Sequence, residues 1–283
     1  IVCVNDQVTE LNLAENFLTG LWPVEIIMLA SDGPRSTGAG ALTKIDLFNN
    51  EYLFNNFDNS WMSLLGSNMT FLYFKETGFA GSLAPLPASI LEFDCSYTLI
   101  DGGLTDATFA GLNKLNWAVL DGNAYNSTVP SVLGSLPELQ YLYISDAFVF
   151  GDLSYMQGMT KIIEHWIDVN PGLGGTIPTF IGALSTLESW SVTQANLNGP
   201  IPSELGNLSS LVNLWLYGNN LTGNIPSQLG LPPSLGVLQL EGNALIGSMP
   251  AEICQKRQFP GTLDTLGVDC AEVACTKGSC CTC

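Results

Sequence analysis

The chain has 283 residues, 46% of them hydrophobic and 10% aromatic, which excludes intrinsic disorder over most of its length. Eight Lys and Arg against 26 Asp and Glu give a formal net charge of −18 (8 − 26). So few cations exclude nucleic acid, which needs Lys and Arg to displace phosphate counterions, and disfavour an anionic membrane surface. No apolar run approaches the roughly 20 residues that cross a bilayer, residues 24–30 being broken by Glu25. A start at Ile1, without a charged and then apolar leader, is expected of a chain already parted from any export signal.

A pattern Leu-x-x-Leu-x-Leu-x-x-Asn-x-Leu-x-Gly-x-Ile-Pro then recurs along the chain. Degraded copies begin at Val8, Leu42, Met69 and Ile90. Residues 21–41 and 54–68 read as insertions, and residues 31–40, rich in Gly and Ser, as a surface loop. Clearer copies start at Leu115, Leu139, near Ile162 and at Leu187. The cleanest are Leu211, Leu214, Leu216, Asn219, Leu221, Gly223, Ile225, Pro226 and, 24 residues on (235 − 211), Leu235, Leu238, Leu240, Asn243, Leu245, Gly247, Met249, Pro250. That makes about ten repeats over residues 8–253.

Alternation puts Leu214 and Leu216 on one face of a short strand and Asn213, Trp215 and Tyr217 on the other. One repeat cannot bury its apolar face alone, whereas stacked neighbours can, so the pattern predicts an α/β solenoid with a parallel sheet on its concave side. Near Ile162 an extra residue in Asn170-Pro171-Gly172-Leu173 leaves two registers open: Ile162, His165 and Ile167 inward, or Ile163 and Trp166. Asn16, Asn50, Asn123, Asn219 and Asn243 follow their strands, where an amide can satisfy backbone groups of the turn and of adjacent coils.

The half-repeat Leu221-Thr222-Gly223-Asn224-Ile225-Pro226 resembles the plant-type (extracellular) leucine-rich-repeat family. The resemblance implies a right-handed superhelix with short turns or 3-10 segments on the convex face, and an Asn ladder between coils. Thr77, Thr98, Ala147 and Ala195 occupy the ladder place in other repeats and are expected to interrupt it. The glycines of the repeat are expected to serve turns. Residues 1–253 read as the solenoid and residues 254–283 as a Cys-rich C-terminal cap.

Cys95 holds an inward position and reads as a buried free thiol. Cys3, Cys254, Cys270, Cys275, Cys280, Cys281 and Cys283 lie at the ends and are the disulfide candidates, which points to an oxidising compartment. Seven is odd, and adjacent Cys280 and Cys281 are poor partners for each other, so Cys3 is expected to pair outside this sequence. Zinc fits less well, because Cys280-Cys281-x-Cys283 lacks paired Cys-x2-Cys spacing and the single His, His165, lies mid-solenoid. Sequons at Asn68, Asn126, Asn207 and Asn220 join the Cys tail in predicting a glycosylated protein, secreted or at the cell surface.

No phosphate loop or dinucleotide-binding Gly-x-Gly-x-x-Gly is present, and a Ser-His-Asp triad would have to use His165. The pairs Glu92/Asp94 and Glu164/Asp168 can each share a strand face, as glycoside hydrolysis or calcium binding requires, yet a chain with 26 acids produces such pairs by default. The expectation is a protein that is not an enzyme and needs neither cofactor nor metal. The outward strand positions collect aromatics and acids instead, and Tyr73, Trp117, Asp121, Tyr141, Tyr143, Trp166, Asp168, Trp215, Tyr217 and Glu241 are the candidate ligand-binding residues. They predict a protein partner with basic character. The alternatives are a cell-wall or matrix carbohydrate, with rings stacked on sugars, and, from the resemblance, inhibition of a secreted hydrolase. A bland alternative also stands, in which the aromatics merely pack sideways on the sheet. Ice binding is disfavoured because the outward positions are chemically mixed.

Overall fold

The alternation in each repeat becomes a three-residue strand with a buried middle residue. A computed structural model of the protein describes residues 1–4, 7–23, 42–56, 62, 65–257, 261–269 and 273–274. The loop expected at 31–40 and Cys270, Cys275, Cys280, Cys281 and Cys283 lie outside the described residues. The chain divides into two compact units, residues 1–148 and 149–283.

In the first unit the strands Val2–Val4, Gln7–Asn12, Lys44–Asp46, Phe71–Tyr73, Glu92–Asp94, Trp117–Val119 and Tyr141–Tyr143 pair in that order. The first pair is antiparallel and the others are parallel and in register. Ile45, Leu72, Phe93, Ala118 and Leu142 therefore stack as one inward column, removed from water. In the second unit Glu164–Trp166, Ser189–Ser191, Asn213–Trp215, Val237–Gln239 and Thr265–Gly267 pair in parallel. The sheet thus gains a strand within the stretch the sequence reading gave to the cap. A second parallel sheet of this unit runs through Gly172–Thr176, Asn196–Pro200, Asn220–Asn224 and Ala244–Ser248. The connections return through 3-10 turns at Ser131–Ser135, Thr179–Ala183, Ser203–Asn207 and Ser227–Gly230. Each begins after Pro130, Pro178, Pro202 or Pro226, whose fixed φ and missing N–H suit a helix entrance.

The extra residue after Asn170 leaves the strand before it undisturbed, so the first of the two registers holds. Ile162, His165 and Ile167 are fully buried, whereas Trp166 is exposed. His165 stacks in the inward column beside Trp190, and its Nε2 lies 2.5 Å from the buried Tyr155 hydroxyl. Burial holds that phenol well above its ordinary pKa, so it stays a neutral hydrogen-bonding group.

The Asn ladder is real. Asn219 Nδ2 donates to Val192 O (2.7 Å) in the preceding coil and to Leu216 O (3.0 Å) in its own, while Oδ1 accepts from Leu197 N (3.1 Å). Asn50, Asn123 and Asn243 do the same between their coils. Asn170, despite the extra residue, accepts from Val149 N and donates to Ile167 O. Asn16 does not take part: it is exposed and donates locally to Ala14 O. Thr77 and Thr98 bond their own coils, to Phe74 O and Cys95 O, and Thr98 also donates to Asn123 Oδ1. Each repeat leaves the sheet through a left-handed residue just before the ladder position. This is Gly at 218 and 242 but Val169 (φ 56°) beside Asn170, where a β-branched side chain costs about 1–2 kcal/mol.

The glycines do more than serve turns. Gly182, Gly206 and Gly230 sit in or at the end of the 3-10 turns, and a Cβ at Gly206 would lie 2.4 Å from Gln228 O of the next coil. These positions set how closely coils approach.

Candidate functional site

On the outward face of the first unit, Tyr73 is half-buried and donates to Glu92 Oε2 at 2.5 Å. Burial first, then the Glu92 bond and charge, push the Tyr73 hydroxyl far above its ordinary pKa. Trp117 packs edge-on against the Tyr73 ring (6.2 Å), and Lys44 lies over the ring (5.0 Å) while pairing with Asp46 (3.3 Å). Tyr141 and Tyr143 are half-buried on the last strand of this unit. Here sideways packing describes much of the aromatic surface, and an internal cation already occupies it.

Four aspartates of the face are tied to backbone. Asp46 accepts from Phe48 N, Asp94 from Ser96 N and Oγ, Asp121 from Ser145 N (2.5 Å), and Asp168 from Ser191 Oγ and Thr193 N (both 2.7 Å). A carboxylate just after a strand satisfies turn or next-coil donors, so part of the negative charge along the face is structural. Asp94 is buried, and desolvation raises its pKa against the lowering effect of Ser96. Among the described residues no cluster of three or more His, Cys, Asp or Glu is placed to hold a metal ion, and no helix is long and apolar enough to cross a membrane.

The second unit differs. Counted from the first Leu of each repeat, the fifth residues stand side by side as Trp166, Ser191, Trp215 and Gln239. Trp166 and Trp215 are separated by one intervening strand, and adjacent strands lie about 4.8 Å apart. Their ring centroids nevertheless come within 6.2 Å, edge to face, above the buried Ser191. The small residue between two large ones leaves a recess of about 200 Å³ lined by Trp166, Asp168, Ser191, Trp215, Tyr217 and Gln239. The recess therefore gathers Trp166, Asp168, Trp215 and Tyr217 of the predicted set. Tyr73, Trp117, Asp121, Tyr141 and Tyr143 belong to the other unit. Glu241 does not line the recess: its carboxylate is tucked against Gly267, where a Cβ would lie 2.1 Å from Oε2. Ser191 and Gln239 were not among the predicted residues, although a small residue between two Trp in one outward column is a readable signal.

The Leucine Rich Repeat family matches residues 210–231. By structure the chain is similar to the ectodomain of the Arabidopsis thaliana receptor kinase GASSHO1/SCHENGEN3, with 25% identity, TM-score 0.80, and 95% of this chain and 30% of that one covered. The chain has the leucine-rich-repeat fold of such ectodomains. The plant peptide hormone receptor RGFR1 shares the fold at 24% identity, with TM-score 0.72 and 88% and 42% covered. A plant ice-binding protein shares it at 18% identity, with TM-score 0.66 and 95% and 84% covered. This leucine-rich-repeat chain thus spans less than half of the two receptor ectodomains. No functionally curated protein matches its sequence.

The cysteines divide. Cys95 is a buried free thiol, 3.5 Å from the Tyr125 hydroxyl, and burial pushes its pKa far up. Cys254 is disulfide-bonded. Cys3 forms no disulfide within the described residues: it is exposed on the edge strand Val2–Val4, and the other free thiol among them, Cys95, is sealed in the core. Asn68, Asn126, Asn207 and Asn220 are all exposed, as a glycan acceptor must be.

Proposed function

We propose that this leucine-rich-repeat protein acts outside the cell or at its surface, binding a protein partner through the sheet face of residues 149–283. The observation that carries the reading is the recess between Trp166 and Trp215, where aromatic area, a carboxylate and polar side chains meet on an otherwise hydrophilic face. The receptors it resembles were solved as complexes, GASSHO1/SCHENGEN3 with CASPARIAN STRIP INTEGRITY FACTOR 2 and the peptide hormone receptor RGFR1 with RGF2. The disulfide at Cys254 and the exposed sequons support an extracellular setting. At least two of Asn68, Asn126, Asn207 and Asn220 should carry glycans in protein isolated from its source. A peptide map with all four unmodified before and after glycosidase treatment overturns that part of the reading.

Trp215→Ala combined with Tyr217→Ala is expected to abolish cross-linking capture of the partner from the native extracellular mixture. The urea midpoint should change little, since both side chains lie on the outward face. Unchanged capture removes the sheet face from the function. Salt separates protein from carbohydrate. Capture of a basic protein should weaken steeply between low and physiological ionic strength, whereas stacking on a neutral glycan should hold; a salt-independent partner favours the carbohydrate alternative.

A further inference from the structure

The two units treat the same chemistry differently. In the first, an aromatic ring and a carboxylate receive a cation from the chain itself: Lys44 Nζ lies 5.0 Å from the Tyr73 ring centroid and 3.3 Å from Asp46. In the second, two indoles, a phenol ring and the Asp168 carboxylate converge on one recess, and its lining contains no Lys or Arg. None stands at the outward strand positions around it either, where Glu164, Asp168 and Glu241 are the charged residues.

We infer that the recess takes a single guanidinium side chain, an arginine presented by the partner protein, with its plane on an indole face and its N–H groups toward Asp168 and the Gln239 amide. Three features favour guanidinium over ammonium. Its planar face stacks on an aromatic ring, its weak hydration lets it leave water for a half-enclosed site, and its forked donors serve a carboxylate and an amide at once. Ser191, buried beneath the rings and donating to both Asp168 oxygens (2.7 and 2.9 Å), holds the carboxylate in the floor of the recess. The size agrees, since about 200 Å³ admits one long side chain and not a folded segment. This inference rests on the proposal that the same face binds a protein.

The test needs no partner. The ¹⁵N-labelled protein is titrated with acetyl-Gly-Arg-Gly-amide while the indole N–H signals of Trp166 and Trp215 are followed, assigned by Trp166→Phe and Trp215→Phe. The lysine and citrulline versions of the tripeptide are run in parallel. Saturable shifts with arginine at millimolar concentration are expected, weaker by a few-fold with lysine and absent with citrulline, and reduced at high salt. Asp168→Asn, which keeps an acceptor for Thr193 N, should weaken the arginine response about tenfold or more, and Trp215→Ala should remove it. An equal response to citrulline overturns the inference, because the charge then plays no part. So does the absence of any saturable response, or a response that survives both variants. If the tripeptide fails while Trp215→Ala/Tyr217→Ala still abolishes partner capture, the arginine site falls and the protein-binding face stands. If both fail, both readings fall.

Discussion

Asn219→Ala should lower the stability of the protein by about 3 kcal/mol, read as a drop in the urea midpoint at an unchanged slope. The side chain is buried and makes one acceptor and two good donor contacts spanning two coils. Alanine removes all of them and leaves Leu197 N and the carbonyls of Val192 and Leu216 without these partners away from water. Each such group costs about 1–3 kcal/mol when nothing replaces the lost bond. The sum falls short of full additivity because the turn relaxes. Asn219→Thr should recover part of the loss: Thr77 and Thr98, in the equivalent place, each reach a carbonyl of their own coil. Asn16→Ala is the control. Its amide is exposed and bonds only two residues back, so the midpoint should move by less than about 0.5 kcal/mol. Equal losses at Asn16 and Asn219 would show that the ladder stabilises nothing beyond a local turn.

The ladder also marks how far the sequence could be read. Alternation of Leu with polar and aromatic residues encodes the strand face directly, because the side-chain period of a strand is two and a slip by one residue would bury the charged set. That is why the outward residues Tyr73, Trp117, Tyr141, Tyr143, Asn213 and Trp215 all fall on the observed strands. His165 was ambiguous for a physical reason, since imidazole suits either face until a buried partner such as Tyr155 is known. The binding face was legible residue by residue but not as a site. Ten residues spread over both units looked equivalent, and what separates them is lateral: Tyr73 is engaged by Glu92 and Lys44, while Trp166 and Trp215 lean together over Ser191. The charge told least. Asp94, Asp121 and Asp168 serve backbone or hydroxyl donors of the turns, a use that no count of carboxylates can reveal.

The glycine of the 3-10 turns shows the same limit from the stability side, and its replacement should be the most damaging small change in the second unit. In Leu205-Gly206-Asn207 the glycine looks like one more turn residue, yet it is not among the residues with positive φ. What it lacks is room. A Cβ on Gly206 would lie 2.4 Å from Gln228 O and 2.6 Å from Gln228 Cβ; on Gly182, 2.2 Å from Glu204 O; on Gly230, 2.7 Å from Glu252 Cβ. Successive turns therefore stack backbone against backbone at a distance that only hydrogen permits. The obstacle is in part main chain, which cannot swing aside as a side-chain tip does. Gly206→Ala must push two coils apart and should cost about 3 kcal/mol or more, the upper end of overpacking effects. Gly236→Ala provides the comparison, because its nearest neighbour would be Thr262 O at an ordinary 3.6 Å, and the added methyl restricts the unfolded chain. It should be neutral or stabilising by up to about 1 kcal/mol. If the two variants unfold at the same urea concentration, coil spacing is not set by the missing Cβ. If Gly206→Ala alone loses stability, the close stacking of these turns is what forbids a side chain there, and glycine at the equivalent positions 182 and 230 follows from the same geometry.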